Sequence, residues 1–454
     1  MRRSEMTPEE ILTLAHERDL QLVRFLYCDS GGVIRGKSTH VGQLARRMQS
    51  GIGLVKGMQS FTSLDFLAPD GTYGPVGEIR LIPDPETFVV PPYAPRSGQI
   101  IAAMVELDHS PWALDPRAFL QRMVTRAADA DLAFEAAFEN EFYLAERTSS
   151  GFDPVDRSLC FSAIGMDSTE DVIQDIIAAL TAQGLTVELS HPELGHGQQE
   201  LSIRHGPALR AADEQITYRQ TVRGVAARHG LVASLAPKPF ADQAGSGAHL
   251  HWSIWDRHQR TNRLADSGAA DGLSQLARQA IAGVLAHLPG LLALTTPSVN
   301  SFRRLQPHYW SSAYTVWGIE NREAAVRVPS RYWDDEAGST NLELKPSDAS
   351  ANPYISLGGV MAAALDGIER GLDPGEPVNE DPGNLTDAER ERRGIRRYPA
   401  TAQEALDELE RDEVLMAALG QPLGVEYLKV RRAEAAAYAD KGEAFELEQH
   451  FFKY

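Results

Sequence analysis

The hydrophobic pattern of the first hundred residues favours strands over helices. The segment QLVRFLYCDSGGVIRGKS has two runs rich in β-branched and aromatic residues on either side of a turn at Asp29–Gly32, which predicts a β-hairpin. A capping box predicts a helix from Pro8 to about His16, and the glycine-rich segment 51–77 lacks helical period and is predicted to be a loop. Further strands are predicted over about residues 78–90 and 99–107. We therefore expect a first, β-rich domain over residues 1–110.

Helical and strand patterns alternate in the remainder of the chain, which is typical of an α+β domain built around one sheet. Helices are predicted over residues 169–183, capped by Ser168, and 212–229, and each is followed directly by a glycine. Strands are predicted over residues 133–144, 185–190, 231–236 and 247–255. These elements predict a second domain over residues 111–454.

Composition narrows the class of protein. The chain of 454 residues carries 44 basic and 63 acidic side chains, for a net charge of −19, which disfavours nucleic acid and anionic membranes as partners and favours small-molecule substrates. Cys28 and Cys160 are its only cysteines, so no disulfide framework is expected. The start MRRSEMTPEE lacks the apolar run of a signal peptide, and no window approaches about 18 apolar residues. The expected location is the cytoplasm.

Polar side chains share faces on two of the predicted strands. In AGSGAHLHWS, the alternation of a strand places His249, His251 and Ser253 on one face, opposite apolar neighbours. In FENEFYL, Glu139 and Glu141 project from one face about 7 Å apart. Two like charges at that spacing are destabilising unless a cation lies between them, so this pair predicts a metal site.

Further carboxylates and two arginines extend this constellation. Glu193 and Glu200 flank a turn in HPELGHGQQE, and Asn341, Glu343 and Lys345 share a strand face in TNLELK. Carboxylates with a single imidazole suit Mg²⁺ or Mn²⁺ better than zinc, and paired divalent ions are typical of phosphoryl transfer from ATP. The chain has no GxxxxGK[ST] loop, so the phosphates must be bound differently. Guanidinium groups can do this, and NREAAVRVP offers Arg322 and Arg327.

Six motifs in this order resemble the glutamine synthetase family: FENEF, HPELGHGQQE, KPF with AGSGAHLHWS, NSFRRLQP, NREAAVRVP, and LELK with SANPY. The resemblance runs from about residue 20 to the closing AFELEQHFFKY. It implies an N-terminal β-grasp domain and a C-terminal catalytic domain with an antiparallel sheet and helices. It also implies a dodecamer of two hexameric rings, with active sites between neighbouring subunits and the closing helix, residues 444–454, docked between rings.

The resemblance also carries roles over to individual positions. One metal ion would be held by Glu141, Glu193 and Glu200. The other would be held by Glu139, His249 and Glu343. The nucleotide would be bound by His251 and Ser253, and its phosphates by Arg322 and Arg327. The substrate-binding residues would be Gly245, His249, Arg304, Lys345 and Trp310. Catalytic roles would fall to Arg304, Arg322 and Glu343, and the implied cofactors are ATP and Mg²⁺ or Mn²⁺.

The chain departs from ammonia-using members of that family where the amine would bind. Those members carry an Asp-Gly-Ser-Ser loop, whereas the matching GIGLVKGMQS has no acid before Asp65. They carry a glutamate where RRLQPHYW has Trp310, an asparagine at Ala244 and an arginine at Lys345. Losing the two acids removes the electrostatic reason for ammonium to bind, which predicts a wider and more apolar acceptor pocket.

The resulting expectation is an ATP-dependent ligase that joins glutamate to an organic amine through γ-glutamyl phosphate. Two alternatives stay open: a glutamine synthetase with a rebuilt ammonium site, and a catalytically idle paralogue that acts as a sensor. The amine also stays open among polyamines, ethanolamine, small alkylamines and aromatic amines. Regulation by adenylylation is not expected, because DPGNLTDAERER contains no tyrosine to modify.

Overall fold

A computed structural model describes residues 6–149, 151–439 and 441–454. Its N-terminal sheet has five strands in the order β2-β1-β5-β4-β3, and β1 pairs antiparallel with β2 and parallel with β5. The strands are β1 Leu22–Cys28, β2 Ile34–His40, β3 Ile52–Val55, β4 Glu78–Pro83 and β5 Ser97–Val105. The helices beside it are α1 Pro8–Glu17 and α2 Leu44–Ser50. The predicted hairpin and the capped first helix are confirmed.

Two predictions on this domain need correction. Part of the segment predicted as a loop is the edge strand β3, in which Ile52 pairs with Leu81 of β4. Gly51 precedes it with a φ of 63°, a left-handed turn that lets a short strand start directly after α2. The strand predicted to reach residue 90 ends at Pro83 because a 3-10 helix starts at Pro85. The domain border at residue 110 stays a prediction, between the end of β5 and the start of the next helix at Pro116.

The second sheet has eleven strands, with β16-β13-β14-β15-β12-β6-β9-β8 along its main path and β7, β10 and β11 paired to β6. All of its pairs are antiparallel except β13 with β14. The strands are β6 Leu132–Thr148, β7 Gly151–Pro154, β8 Val187–Pro192, β9 Gln198–Ile203, β10 Gly206–Pro207, β11 Val232–Ser234, β12 Ala248–Asp256, β13 Tyr314–Ile319, β14 Ala324–Val328, β15 Leu342–Leu344 and β16 Arg396–Arg397.

Helices cover one side of this sheet and close the chain. They are α3 Pro116–Asp129, α4 Ala163–Ala182, α5 Ala208–Arg228, α6 Gln275–Thr295, α7 Ser301–Arg304, α8 Glu336–Ser339, α9 Pro353–Arg370, α10 Asp387–Arg392, α11 Ala402–Arg411, α12 Glu413–Leu419, α13 Gln421–Ala439 and α14 Glu443–Lys453. The prediction that Ser168 caps a helix is wrong, since Ser168 lies inside α4 and its hydroxyl donates to the carbonyl of Gly165. The α+β class is confirmed.

Of the helices in the described ranges, α6 is long and apolar enough to cross a membrane, and 67% of its most apolar window is buried within the protein. His287, in its middle, lies 2.9 Å from Asp366 of α9 and 2.7 Å from Asp412. A histidine held between two carboxylates inside the protein identifies α6 as a core helix.

The closing helix α14 packs against its own subunit. Phe451 stacks on Phe152 with ring centroids 3.9 Å apart, and the hydroxyl of Tyr454 donates to the carbonyl of Gly31 at 2.8 Å. Phe451 and Tyr454 are each 1% exposed. These two side chains are therefore used within the subunit, and the docking of the closing helix between rings stays a prediction.

Candidate active site

The register of the central strands brings the predicted metal ligands together. Glu139 of β6 lies opposite His249 of β12, two residues before Glu141, which lies opposite Glu200 of β9. Glu200 in turn lies opposite His191 of β8. Because side chains alternate along a strand, these positions face one side of the sheet.

The same side of the sheet continues across β12, β15 and β14. His251 lies opposite Glu343, and Glu343 lies opposite Arg327. The guanidinium Nε of Arg327 is 3.0 Å from the carboxylate of Glu343, which is fully buried. The neighbouring strands β14, β15 and β12 thus present Arg327, Glu343 and His251 side by side.

Glu139 and Glu343 form a first group with both histidines of β12. His249 Nδ1 is 3.1 Å from Glu139 Oε1 and 3.4 Å from Glu343 Oε1. His251 Nε2 is 3.5 Å from Glu139 Oε2, and ligand atoms of Glu139, His251 and Glu343 lie within 4.8 Å of one another. Glu139 and Glu343 are therefore within reach of either imidazole.

Glu193 and Glu200 form a second group with His191, a residue that the sequence reasoning missed. His191 Nε2 is 3.2 Å from Glu200, and its Nδ1 is 3.5 Å from Glu193. His191 precedes Glu193 by two residues, a spacing too common by itself to select it. Glu141 Oε1 lies between the groups, 3.7 Å from His249, and its Oε2 accepts a hydrogen bond from Gln198.

Several ligand atoms in these groups make no hydrogen bond. They are His251 Nε2, His191 Nδ1, Glu343 Oε1 and Glu343 Oε2. Buried polar atoms normally make hydrogen bonds. Carboxylate oxygens that make none, next to imidazole nitrogens, are suitable ligand atoms for a divalent cation. The residues present therefore fit bound Mg²⁺ or Mn²⁺.

The carboxylates of the site differ in the direction of their pKa shifts. Burial, and then the charges of Glu200 and Glu193, raise the pKa of Glu141 to about 8. Burial also raises the pKa of Glu200, although its hydrogen bond to His191 opposes this. A cation bound among these acids would remove their repulsion and keep them ionised. Burial disfavours ionisation of Glu343 too, yet Lys345, His251 and Arg327 lower its pKa to about 2.

The two histidines of β12 also differ in charge. Burial, and then the charge of Lys345, lower the pKa of His249 to about 4. Burial disfavours the charged form of His251 as well, but Glu139 and Glu343 raise its pKa to about 9. At neutral pH His249 is therefore a neutral imidazole able to coordinate a metal, whereas His251 carries a proton that it can donate to an anion.

Two cavities meet at Glu139. The small cavity, about 200 Å³, is lined by Glu135, Glu139, His251, Ser253, Tyr332 and Asn341, among others. The large cavity, about 420 Å³, contains most of the remaining predicted residues: Glu139, Glu141, Glu193, Glu200, Gly245, His249, Arg304, Trp310, Arg322 and Lys345. Arg327 lines neither cavity and is instead paired with Glu343. Tyr332 is a further lining residue that the sequence reasoning did not select.

The inner wall of the large cavity is positively charged and tightly packed. A Cβ at Gly245 would lie 2.4 Å from Cγ of Arg304, so only glycine fits there. Arg304 is buried, and its Nη2 donates to the carbonyl of Ser347 at 2.9 Å while its Nε makes no hydrogen bond. Lys345 Nζ lies 3.6 Å from Glu343 Oε1. This wall suits an anionic substrate group such as a carboxylate.

The outer wall is an irregular segment, His308–Ser312, which we call the acceptor segment. His308, Trp310 and Ser312 have φ values of 66°, 54° and 67°, a left-handed conformation that is unusual for a bulky side chain. Trp310 is 55% exposed, and its backbone N–H donates to Oε1 of Glu323 at 2.7 Å. Asp65, the first acid in the N-terminal loop region, does not line this cavity and pairs with Arg35 at 2.8 Å.

Family profiles and curated relatives agree on the relationship of this chain. The profile of the glutamine synthetase catalytic domain matches residues 113–450, and that of the glutamine synthetase N-terminal domain matches residues 7–112. The chain is 36% identical over 415 residues to a γ-glutamylpolyamine synthetase of Streptomyces coelicolor, across 90% of this chain and 89% of that protein. It is 35% identical over 385 residues to a glutamine synthetase of Halobacterium salinarum, across 83% and 84%.

Solved structures are similar over nearly the whole chain. A glutamine synthase homologue aligns with a TM-score of 0.86 and 33% identity over 96% of this chain and 99% of its own. A GmaS–ADP complex aligns with a TM-score of 0.83 and 30% identity over 96% and 97%. Enzymes of this kind use ATP and divalent metal ions to act on small-molecule substrates. With its acidic and imidazole groups facing two joined cavities, this chain is a ligase of the glutamine synthetase family.

Proposed function

We propose that the enzyme is a γ-glutamyl-amine synthetase, which couples glutamate to an organic amine at the expense of ATP. The observation that carries the proposal is Trp310, an exposed indole on the outer wall of the large cavity, where the motif of ammonia-using relatives has a glutamate. One relative is itself described as a γ-glutamylpolyamine synthetase, which supports an amine larger than ammonia.

In the first half-reaction, the γ-carboxylate of glutamate attacks the γ-phosphorus of ATP, which releases ADP and forms an acyl phosphate. The metal ligands proposed are the six carboxylate and imidazole residues Glu139, Glu141, Glu193, Glu200, His249 and Glu343. Bound Mg²⁺ or Mn²⁺ would neutralise phosphate charge there. His251, protonated at neutral pH, and Ser253 line the small cavity proposed for the nucleotide. Arg322, on the large cavity, offers a guanidinium to the transferring phosphoryl group.

Glutamate is proposed to lie against the inner wall of the large cavity. Arg304 has an Nε that makes no hydrogen bond within the described part of the chain, and Gly245 lets the backbone pack directly against the Arg304 side chain, where a Cβ would clash. Lys345 adds a second positive charge as a point donor, where an arginine would offer a fork. These groups orient the substrate so that its γ-carboxylate faces the metal ligands.

In the second half-reaction, the ammonium head first loses a proton to solvent, and the neutral amine attacks the acyl carbon. The bond between that carbon and the phosphate oxygen breaks, and the second amine proton leaves with the phosphate as the amide forms. Ammonium is small and strongly hydrated, so a site must replace its water with acidic or carbonyl oxygens. An indole face offers about 0.5–2 kcal/mol of cation–π attraction, which suits the less hydrated head of an organic amine. The amine's carbon chain buries further apolar area at about 25 cal/mol per Å².

A panel of amines tests the proposal, with ATP hydrolysis and amide formation measured in the presence of glutamate. The kcat/KM of the best organic amine is expected to exceed that of ammonia by at least about a hundredfold, or about 2.7 kcal/mol. Equal efficiency with ammonia would instead identify a glutamine synthetase. Absence of turnover with every acceptor would identify an idle paralogue.

We also infer that the enzyme is cytoplasmic and assembles as a dodecamer of two hexameric rings. The inference rests on the family to which the chain belongs, since only one subunit is described. Light scattering of the purified protein checks it. A catalytically active monomer would contradict the assembly.

A further inference from the structure

A buried carboxylate lies directly behind the acceptor segment. Glu323 is 5% exposed, and its Oε1 accepts the backbone N–H of Trp310. Its Oε2 is buried and makes no hydrogen bond to any residue that the structure describes. Within the described ranges, Glu323 forms no ion pair. A buried carboxylate oxygen without a partner is costly, and such a group in a native structure calls for a functional explanation.

Glu323 sits between a rigid element and the large cavity. The residue after it begins β14, in the middle of the second sheet, and the residue before it, Arg322, lines the cavity. His308 and Trp310, in front of it, line the same cavity. Burial raises the pKa of Glu323, and so does Asp381, whereas the Trp310 N–H, His308 and Lys345 lower it. Glu323 therefore lies directly behind the residues that line the end of the cavity assigned to the amine.

The acceptor segment depends on contacts of this kind. Its left-handed residues are strained, and such a conformation persists only where the surroundings impose it. The ring of His308 is hydrogen-bonded to Asp381 at 2.8 Å, and the hydroxyl of Ser312 to that of Tyr398 at 2.6 Å. Between these two contacts, the backbone N–H of Trp310 donates to Glu323. Glu323 is the member of this set with a buried oxygen, Oε2, that makes no hydrogen bond to any residue the structure describes.

We propose that Glu323 is a positioning and specificity residue for the acceptor, which orients Trp310 through Oε1 and attracts the ammonium head of the amine through its remaining charge. It would replace, from the turn that precedes β14, the acid that ammonia-using relatives carry at position 310. The inference rests on the proposed function for the identity of the acceptor. In a low-dielectric wall, an unpaired charge is felt over several ångströms, so direct contact with the amine is not required.

Glu323→Gln separates the two roles, because its amide oxygen can still accept the Trp310 N–H while the charge is lost. We expect the KM of the best organic amine to rise about tenfold, with kcat and the KM values of ATP and glutamate within about twofold of wild type. The matched control is Glu320→Gln, which removes an exposed carboxylate three residues earlier and is expected to leave the KM unchanged.

Hydroxylamine, which is uncharged at neutral pH, provides the readout that a purely structural role would not give. Loss of charge should leave the KM of hydroxylamine unchanged while that of the protonated amine rises. Equal increases for both acceptors, or no increase for either, would overturn the proposal. Glu323→Asp, a second variant that keeps the charge, should retain the wild-type ratio of the two KM values, and loss of the ratio would also overturn it.

The design separates this inference from the proposed function. If the wild-type enzyme accepts ammonium alone, the proposed function fails, and the same comparison is made between ammonium and hydroxylamine. An ammonium KM that is unchanged in Glu323→Gln would then overturn the role of Glu323 as well. If organic amines are accepted and the variant behaves as wild type, only the role of Glu323 fails.

Discussion

The metal-facing strands and the acceptor segment line one cavity but are built in opposite ways. On β6, β9, β12 and β15 the ligands occupy paired positions of a regular antiparallel sheet. In the acceptor segment, three of five residues are left-handed, and the conformation depends on Glu323, Asp381 and Tyr398 from elsewhere in the chain. The chemistry shared with relatives lies on the regular framework, and the departure from ammonia-using relatives lies on the irregular segment.

This difference has a physical reason. Phosphoryl transfer needs several charges at fixed separations, which a hydrogen-bonded sheet supplies through its register. Choice of acceptor needs only a change in the shape and charge of one wall, which a loop tolerates without disturbing the sheet. Substitutions on the strands should therefore stop the reaction, whereas substitutions on the segment should redirect it.

The largest effect is expected from Glu343→Ala, Glu139→Ala or Glu141→Ala. Each variant removes a charged ligand proposed to neutralise polyphosphate, so turnover should fall by about 10³-fold or more at saturating Mg²⁺. ATP hydrolysis in the presence of glutamate and amine measures the loss. Glu146→Ala, at the exposed end of β6, is the control and should retain activity. Wild-type-like turnover in any of the three would contradict the metal assignment.

A smaller effect is expected from Arg322→Lys. A guanidinium fork directed at the transferring phosphoryl group acts mainly in the transition state, so kcat should fall, by about tenfold to a hundredfold, more than ATP binding weakens. Steady-state kinetics with ATP as the varied substrate separates the two. A change in KM alone would assign Arg322 to ground-state binding.

Substitutions in the acceptor segment should change the preference for an organic amine over ammonia. Trp310→Glu restores the acid of ammonia-using relatives and should reduce the ratio of kcat/KM for the best organic amine over ammonia by about tenfold. Trp310→Phe retains an aromatic face and serves as the control that keeps most of the preference. Competition between ammonium and the amine measures the ratio directly. An unchanged ratio in Trp310→Glu would show that Trp310 does not select the acceptor.

The smallest effect lies in the core, away from both regions. Burial lowers the pKa of His287, but its bonds to Asp412 and Asp366 outweigh burial and raise the pKa above its ordinary value. A raised histidine pKa stabilises the fold fully below the unfolded value of about 6.5, and the stabilisation is lost as pH rises through the folded value. His287→Gln should therefore lower the Tm by about 3 °C at mildly acidic pH and by less in alkaline buffer. A deficit that grows with pH would contradict the assignment.

Much of the metal framework could be predicted because it depends on local alternation. Glu139 with Glu141, and His249 with His251, share faces through the period of two, and their flanking apolar residues mark buried strands. Which residues would share a metal ion followed from the family resemblance, whereas the strand neighbours and their register come from the structure. His191 escaped notice because a single histidine beside a turn is common and carries no spacing signal strong enough to select it.

By itself, the sequence determined the strands that carry Glu139, Glu141, His249 and His251 and the polar faces of those strands, because these depend on residue type and local periodicity. Only the tertiary structure decided which imidazole is neutral. Burial and then Lys345 lower the pKa of His249, whereas Glu139 and Glu343 outweigh burial and raise the pKa of His251. The tertiary structure also decided that Glu323 lies behind Trp310, a contact between residues 13 positions apart. The charge and burial of a site residue depend on neighbours that are distant in sequence and that folding brings together, so the local sequence pattern cannot predict them.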